Sequence, residues 1–369
     1  MATQCVLFTD SSMNIGGQEL QALQQMRALS GAGWQTQLLC KPGSAILQRA
    51  QQMGLPVQAI RFRNAFHLPS WRAVYQIIQT QKPRAFICHG SHDAIVCALV
   101  AIWVRALHGK RIPVYRVKTF QHGYPLSFAY NYLFTKTLTP SAYLRSLFLV
   151  NKSINPKRID VLYPGIDFAR LANSDHALPE QIATWLRTRP GPVITHGAIL
   201  RGEKGHRIVL NALVEVKKAF PHVRYLIAGE GQDKPLLIDL INTLGLDDNV
   251  LLTGMVEHIA PLLRVSDIAV LPSLNEPLGM FQIEAQYLGV PTITSDAGGI
   301  PETIMHDQTG LMVEAGNVAQ WAKAIEWVLD HPLEAKQFAR AGKQQVIKQF
   351  SLEANTAQLI ALLERRPVG

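Results

Sequence analysis

Short apolar, β-branched runs alternate with stretches of helical period along the whole chain. That alternation predicts an α/β protein with parallel sheets and crossover helices. In the first half the predicted strands are Cys5–Thr9, Gln35–Cys40, Val57–Phe62, Ala85–Cys88 and Val114–Thr119. Between the first two lies a helical stretch, Gln18–Ser30, closed by Gly31. A turn-rich segment, Tyr163-Pro164-Gly165-Ile166-Asp167, predicts a domain boundary. The alternation then restarts, with strands expected at Val193–His196, Arg224–Ala228, Val250–Gly254, Ile268–Pro272 and Thr292–Ser295. Helices are expected at about Gly205–Phe220, Lys234–Leu244 and Phe281–Leu288, followed by a helical tail at Val318–Asp330, Leu333–Gln349 and Leu352–Arg365. The 369 residues suit two domains of ordinary size. The expected division is 1–168, 169–350 and a terminal helix, 351–369, packing back toward the first domain. Two doubly wound domains facing a central cleft would bind ligands at the carboxyl ends of their strands.

The longest apolar run, Ala94 to Val104, is ended by Arg105 and is too short for a bilayer, which needs about 20 residues. It is expected to be a buried helix capped by Ser91-His92-Asp93. The start, MATQCVLFTD, lacks the basic and apolar regions of a signal peptide, so a cytoplasmic location is expected. Cys5, Cys40, Cys88 and Cys97 show no Cys-x-x-Cys spacing and read as reduced core thiols. Charge changes the picture more. Through residue 170 there are 19 Lys and Arg against 5 Asp and Glu, and thereafter 17 against 22. The first half is therefore expected to face something anionic, with nucleic acid one candidate and a phosphorylated glycolipid or the anionic inner face of the membrane another, against a merely solvated basic face. The carboxylate pair Glu276 and Glu284, which a nucleic-acid binder leaves unexplained, sets nucleic acid aside. Its densest basic groups are Arg61, Arg63, Arg105, Lys110, Arg111, Arg116 and Lys118.

Candidate chemistry concentrates in Asn275-Glu276-Pro277-Leu278-Gly279-Met280-Phe281-Gln282-Ile283-Glu284. A strand runs into a short loop, and a helix starts near Gly279 or Met280. The first N–H groups of a helix suit a phosphate, and Gly279 leaves room for its approach. Glu276 and Glu284 are placed to bracket a ligand rich in hydroxyl groups; alone, the pair reads equally well as a cap and a solvated helix residue. Upstream, Leu200-Arg201-Gly202-Glu203-Lys204-Gly205 sets two cations on a strand-to-helix loop, a cradle for a diphosphate. The chain has no Gly-x-x-x-x-Gly-Lys-Ser/Thr and no Gly-x-Gly-x-x-Gly after the first strand, which argues against a P-loop enzyme and a dinucleotide oxidoreductase.

Together these segments resemble glycosyltransferase family 4, of the GT-B fold: Glu276 and Glu284 meet its Glu-x7-Glu pattern, within NEPLGMFQIEAQYLGVPTITSDAGGIPE. Tyr163–Asp167, Leu226–Gly231 and Gly16-Gly17-Gln18-Glu19 add to the resemblance, whose specificity lies between Pro192 and Glu302. It implies a retaining transferase using a nucleoside-diphosphate sugar, with no cofactor and no metal. It also implies a glycan or glycolipid acceptor and a role in bacterial lipopolysaccharide or surface polysaccharide synthesis. By the resemblance Glu276 holds the donor sugar, Glu284 the ribose, Gly279, Met280 and Phe281 the sugar or distal phosphate, and Arg201 and Lys204 the diphosphate. His122 is the cleft histidine, with His89 and His92 as competitors, and Gly16 and Gly17 form a loop meeting phosphate or acceptor. One departure is Gly197-Ala198, where many members carry an Arg after the Gly. The absence of any Asp-x-Asp fits leaving-group stabilisation without a metal. The alternative is a catalytically silent GT-B binding or partner subunit.

Overall fold

The computed structural model describes residues 4–121 and 123–365. It divides into two compact units, one running to Ile166 and resuming at Phe350, the other spanning Asp167–Gln349. Unit 1 holds seven strands: β1 (Cys5–Asp10), β2 (Gln35–Cys40), β3 (Val57–Ala59), β4 (Ala85–Cys88), β5 (Val114–Val117), β6 (Lys136–Thr139) and β7 (Ile159–Val161). They form one parallel sheet in the order β3-β2-β1-β4-β5-β6-β7. Unit 2 holds β8 (Val193–Gly197), β9 (Arg224–Ala228), β10 (Val250–Gly254), β11 (Ile268–Leu271), β12 (Thr292–Ser295) and β13 (Leu311–Val313), in the parallel order β10-β9-β8-β11-β12-β13. Each sheet reverses its strand order once, between β1 and β4 and between β8 and β11. Such a reversal splays the loops after the two strands and opens a crevice at their carboxyl ends.

Both sheets are covered on two faces, as all-parallel sheets must be. In unit 1, Leu7, Phe86, Cys88 and Val114 pack under the helix Ser91–His108, while Val6, Phe8, Leu38 and Ile87 pack under the helix Gly17–Gly31. In unit 2, Ile194, Tyr225, Ile227 and Val270 meet the helices His206–Ala219 and Val318–Asp330, with Trp321 fully buried between. The last described helix, Leu352–Glu364, belongs to unit 1: Leu359, Leu362 and Leu363 enter the same core as Leu23 and Met26. It is tied there by Gln25 Nε2 donating to Asn355 Oδ1 (3.0 Å) and Asn355 Nδ2 donating to the Tyr163 carbonyl (2.6 Å).

Several elements depart from the sequence reading. β3 stops at Ala59 and β5 at Val117: Ile60 and Lys118 each still donate one N–H to the neighbouring strand, at the carbonyls of Cys40 and Leu138, after which the ladders end. β6, β7 and β13 escape the pattern because they are three or four residues long, and β6 and β7 mix polar with apolar positions. The first helix runs through Gly31, and the left-handed residue that ends it is Gly33 (φ 88°). The apolar helix is capped by the Gly90 backbone instead of Ser91, His92 or Asp93; the Asp93 carboxylate accepts from the Thr9 hydroxyl. Among the described residues this helix, Ser91–His108, is the one long and apolar enough to cross a membrane, yet its Val96, Cys97, Val100 and Val104 fill the core. All four cysteines are free and buried. Arg116, counted above among groups facing an anionic surface, is buried on the covered face of β5, where strand alternation sets it opposite Tyr115 and Val117, and Lys118, just past the strand, is half-buried.

Candidate functional site

The carboxyl ends of β8 and β11 bring the two sequence motifs together. After β8 the chain turns through Ala198–Arg201 and a single 3₁₀ turn, Gly202–Lys204, into the helix His206–Ala219. Gly205 makes that turn possible: its φ is 74°, and a Cβ there would lie 1.9 Å from the Pro272 carbonyl oxygen. The close approach seats the loop against the residues after β11, where the Leu274 N–H donates to the Glu203 carbonyl (2.7 Å). Lys204 Nζ thereby reaches Glu276 Oε2 at 2.6 Å, with both side chains more than four-fifths buried. The Ser273 hydroxyl lies 3.5 Å from the same oxygen.

Two further glycines hold Glu276 from behind. Cβ atoms at Gly298 and Gly299 would fall 2.2 Å and 2.1 Å from the carbonyl oxygens of Glu276 and Pro277. The Gly299 N–H donates to the Glu276 carbonyl (2.9 Å). The loop then crosses Gly279 in the left-handed region (φ 87°), a conformation costly for a residue with a Cβ. Met280 caps the helix Phe281–Tyr287. Phe281 turns its ring inward against Gly197, where a Cβ would meet the ring at 2.6 Å, so what it can offer a ligand is its backbone. Glu284 stands one turn along this helix. Its carboxylate accepts no hydrogen bond from a described residue, and burial pushes it up to about 7.

Beneath Lys204 lie two histidines that the sequence reading did not single out. His196 on β8 and His206 at the helix start stack with ring centroids 4.2 Å apart. His196 Nδ1 pairs with the Tyr225 hydroxyl at 3.0 Å, while Nε2 of each histidine is buried without a partner. Burial lowers both, His206 to about 4 with the Lys204 ammonium adding to it, and His196 well below its ordinary value with His206 and then Lys204 adding to it. Both rings are therefore neutral near pH 7, and Lys204 is the cation of this layer. Their only signal in the sequence was spacing: His196 ends a strand and His206 opens the helix of the same turn.

The other expected residues are more scattered. Arg201 points to Glu203 (3.2 Å) and is half-exposed. Gly16 caps the helix Gly17–Gly31, its N–H donating to Glu19 Oε2 (2.8 Å); nothing crowds Gly17. His89 is buried against Phe8 and lowered to about 4 by desolvation, whereas His92 is exposed. His122 lies outside the described residues. No group of three or more His, Cys, Asp or Glu suited to a metal ion occurs among the described residues.

Residues 180–345 match the model for glycosyl transferases group 1, and residues 15–170 match that for glycosyltransferase family 4. The chain belongs to this glycosyltransferase family. Among its curated relatives is a glycogen synthase from Mycobacterium tuberculosis, 31% identical over 227 residues, 60% of this chain and 55% of the relative. A D-inositol 3-phosphate glycosyltransferase from Rhodococcus erythropolis is 32% identical over 58% of this chain and 50% of its own length. The matched region thus spans about half of these relatives. Among solved structures, a glycosyltransferase from Rickettsia africae superposes with a TM-score of 0.85 at 19% identity, covering 99% of this chain and 98% of that one. Anabaena HepE in complex with UDP gives 0.82 at 19% identity, covering 98% and 99%. The fold class is that of the GT-B glycosyltransferases.

Proposed function

We propose that this family member is a retaining, metal-independent transferase that moves a sugar from a nucleoside diphosphate to a glycan or glycolipid acceptor. The observation that carries the reading is the Lys204–Glu276 pair at the β8 and β11 ends, with Glu284, which pairs with no described residue, in the first turn of the helix that follows. In this reading Lys204, with Arg201, takes the diphosphate, Glu276 accepts from the donor sugar's hydroxyls, and Glu284 accepts from the ribose. Backbone N–H groups at Gly279, Met280 and Phe281 face the sugar or distal phosphate. Gly16 and Gly17 meet phosphate or acceptor, and His122 contacts the sugar. The UDP named for Anabaena HepE supports a nucleoside diphosphate as the co-substrate class.

The chemistry follows from charge. The bond from the anomeric carbon to the diphosphate breaks, and negative charge grows on the departing oxygen. A cation already in place stabilises that charge without reorganisation. The acceptor oxygen bonds to the anomeric carbon on the same face, and its proton passes to the departing phosphate. Side-chain cations take the part a divalent ion plays elsewhere, so no cofactor is required. The relatives' names range from glycogen to inositol phosphate, so the acceptor does not transfer from them. Lipopolysaccharide or surface polysaccharide synthesis is the setting we favour, on the strength of the basic first unit. That unit also carries an exposed apolar groove of about 610 Å³ lined by Leu68, Trp71, Tyr75 and Trp103, with Arg72 beside it. The combination supports peripheral attachment to the anionic inner face of a membrane, with no role for nucleic acid.

Incubation with UDP-, GDP-, ADP- and dTDP-sugars tests the proposal. Slow donor hydrolysis by the wild-type chain, lost in Glu276→Ala, is expected. Binding of a nucleoside diphosphate without turnover of any donor would instead favour a catalytically silent GT-B subunit, the reading to which Ala198 points.

A further inference from the structure

Arg116 is a buried cation that pairs with no carboxylate among the described residues. Register places Thr9 on β1, Cys88 on β4, Arg116 on β5 and Thr137 on β6 in one row, on one face of the unit 1 sheet. The helix Ser91–His108 and the π-helical turn Ala129–Leu133 cover that face. Arg116 is 9% exposed, and its guanidinium lies over the rings of Phe134 (5.1 Å) and Tyr130 (5.9 Å). Among the described residues its side chain makes one hydrogen bond, a long one from Nη2 to the Ser91 hydroxyl at 3.4 Å. Nε is buried without a partner, and so is the hydroxyl of Thr137 beside it in the row. The carboxylate of the helix's first turn, Asp93, is turned to Thr9 at 2.5 Å and forms no ion pair with Arg116. Ring faces offset part of the charge, but a guanidinium with unused N–H groups in a protein interior is ordinarily matched by an anion.

Two more sources of positive potential converge there. Lys118, two residues further along and just past β5, is half-buried and makes no ion pair with a described residue. Desolvation, and then the charge of Arg116, lowers its ammonium from the usual range. The 18-residue helix begins at Ser91 behind a Gly90 cap that offers its N–H groups no side-chain acceptor. Ser91 and Lys118 lie past the carboxyl ends of β4 and β5, and Arg116 is the last but one residue of β5, close to the edge where doubly wound sheets bind ligands; helix starts favour anions.

We propose that Arg116, Lys118 and the helix start at Ser91 form a site for a phosphate group carried by the acceptor. The acceptor assignment rests on the transferase reading above; the phosphate site itself does not. The planar guanidinium offers paired N–H donors to two phosphate oxygens, Lys118 adds a point charge, and the Ser91 hydroxyl and N–H complete the ring of donors.

The test is titration of the full chain with inorganic phosphate by calorimetry, in a Lys204→Ala background that removes the main cation of unit 2. Saturable binding is expected, weakened about tenfold or more by Lys118→Gln, the scale of one lost charge-assisted hydrogen bond. Arg116→Lys, which keeps the charge but loses the fork, should weaken it similarly. Should that variant misfold by circular dichroism, Lys118→Gln and Ser91→Ala carry the comparison. No phosphate binding, or binding unchanged in Lys118→Gln, overturns the site. Glycerol 3-phosphate should compete with inorganic phosphate; failure to compete overturns its assignment to an esterified phosphate on an acceptor. Binding of UDP, GDP, ADP and dTDP is measured alongside on the chain with Lys204 intact. Loss of all four there would sink the transferase reading and leave the phosphate titration to stand by itself.

Discussion

Glu284 ties stability to pH. Its carboxyl is lifted from 4.5 to about 7 by burial. Below about pH 4.5 the group is protonated in both folded and unfolded chains and contributes no pH dependence. Between 4.5 and 7 the unfolded chain releases the proton while the folded chain keeps it, so stability falls as pH rises. Above 7 the loss is complete and constant. At about 1.4 kcal/mol per unit, the loss approaches about 3 kcal/mol, a ceiling because the side chain keeps an edge to solvent. Glu284→Gln removes the proton without changing the shape. Its stability relative to wild type should therefore be nearly level up to pH 4.5, climb through pH 7 and flatten above. For a unit of this size each kcal/mol moves the melting temperature by about 2–4 °C, so a gain of several degrees at pH 8 is expected. Thermal or urea denaturation of both proteins from pH 4.5 to 8.5 gives the difference curve, in which other titrating groups cancel. A difference that stays flat across this range would refute the buried-carboxylate account. The same titration predicts that nucleoside diphosphate affinity weakens as pH drops through 7, because the protonated carboxyl loses an acceptor for the ribose hydroxyls.

Glu276→Ala should cut turnover far more than nucleoside diphosphate affinity, whereas Glu284→Ala should weaken both; equal effects on nucleotide binding would contradict the division of roles. Lys204→Ala should slow transfer by at least on the order of 10²-fold, the scale of one removed oxyanion donor. Wild-type activity should survive EDTA, and loss restored by magnesium or manganese would overturn the leaving-group account. Gly205→Ala forces a Cβ against the Pro272 carbonyl and should destabilise unit 2 by about 1–3 kcal/mol, read as a lowered melting temperature. Charge reversal at Lys110 and Arg111 should weaken binding to anionic liposomes at low salt and leave nucleotide affinity unchanged. Indifference of the wild-type chain to such liposomes would withdraw the membrane reading.

The sequence pattern is most legible where a strand carries a continuous apolar run, mostly in the sheet interior but also at the edge strand β10 (Val250–Gly254). Gln35–Cys40, Ala85–Cys88, Arg224–Ala228 and Thr292–Ser295 are interior strands, or flank one, and hold enough apolar residues to stand out as runs; the structure has the same limits. β7 and β13 sit at sheet edges and β6 next to one, where a short strand needs little hydrophobic area and its pairing comes from neighbours far away in sequence. Lys136 illustrates the loss of signal: a charged residue opens β6 because Asp160, across on β7, neutralises it. Such a pair is visible only once the register is known.

The candidate site divides along the same line. Glu276, Gly279 and Glu284 follow one another closely, so a strand, a turn and a helix suffice to place them. Lys204 lies 72 residues away, and its meeting with Glu276 depends on β8 and β11 being neighbours in the sheet. Chain order alone does not say that strands eight and eleven adjoin; the crossover through β9 and β10 puts them there. The glycines follow the same logic. Gly298 and Gly299 carry no chemistry, yet they permit the contacts that hold the Glu276 backbone from behind. Arg116 marks the limit from the opposite direction. Counted by charge it belonged with Lys110 and Arg111, and only strand alternation, resolved by the ladder to Cys88 and Thr137, turns it inward. A basic residue in an apolar run such as Val114-Tyr115-Arg116-Val117 therefore signals a buried cation before it signals a charged surface, and a buried cation calls for an anion.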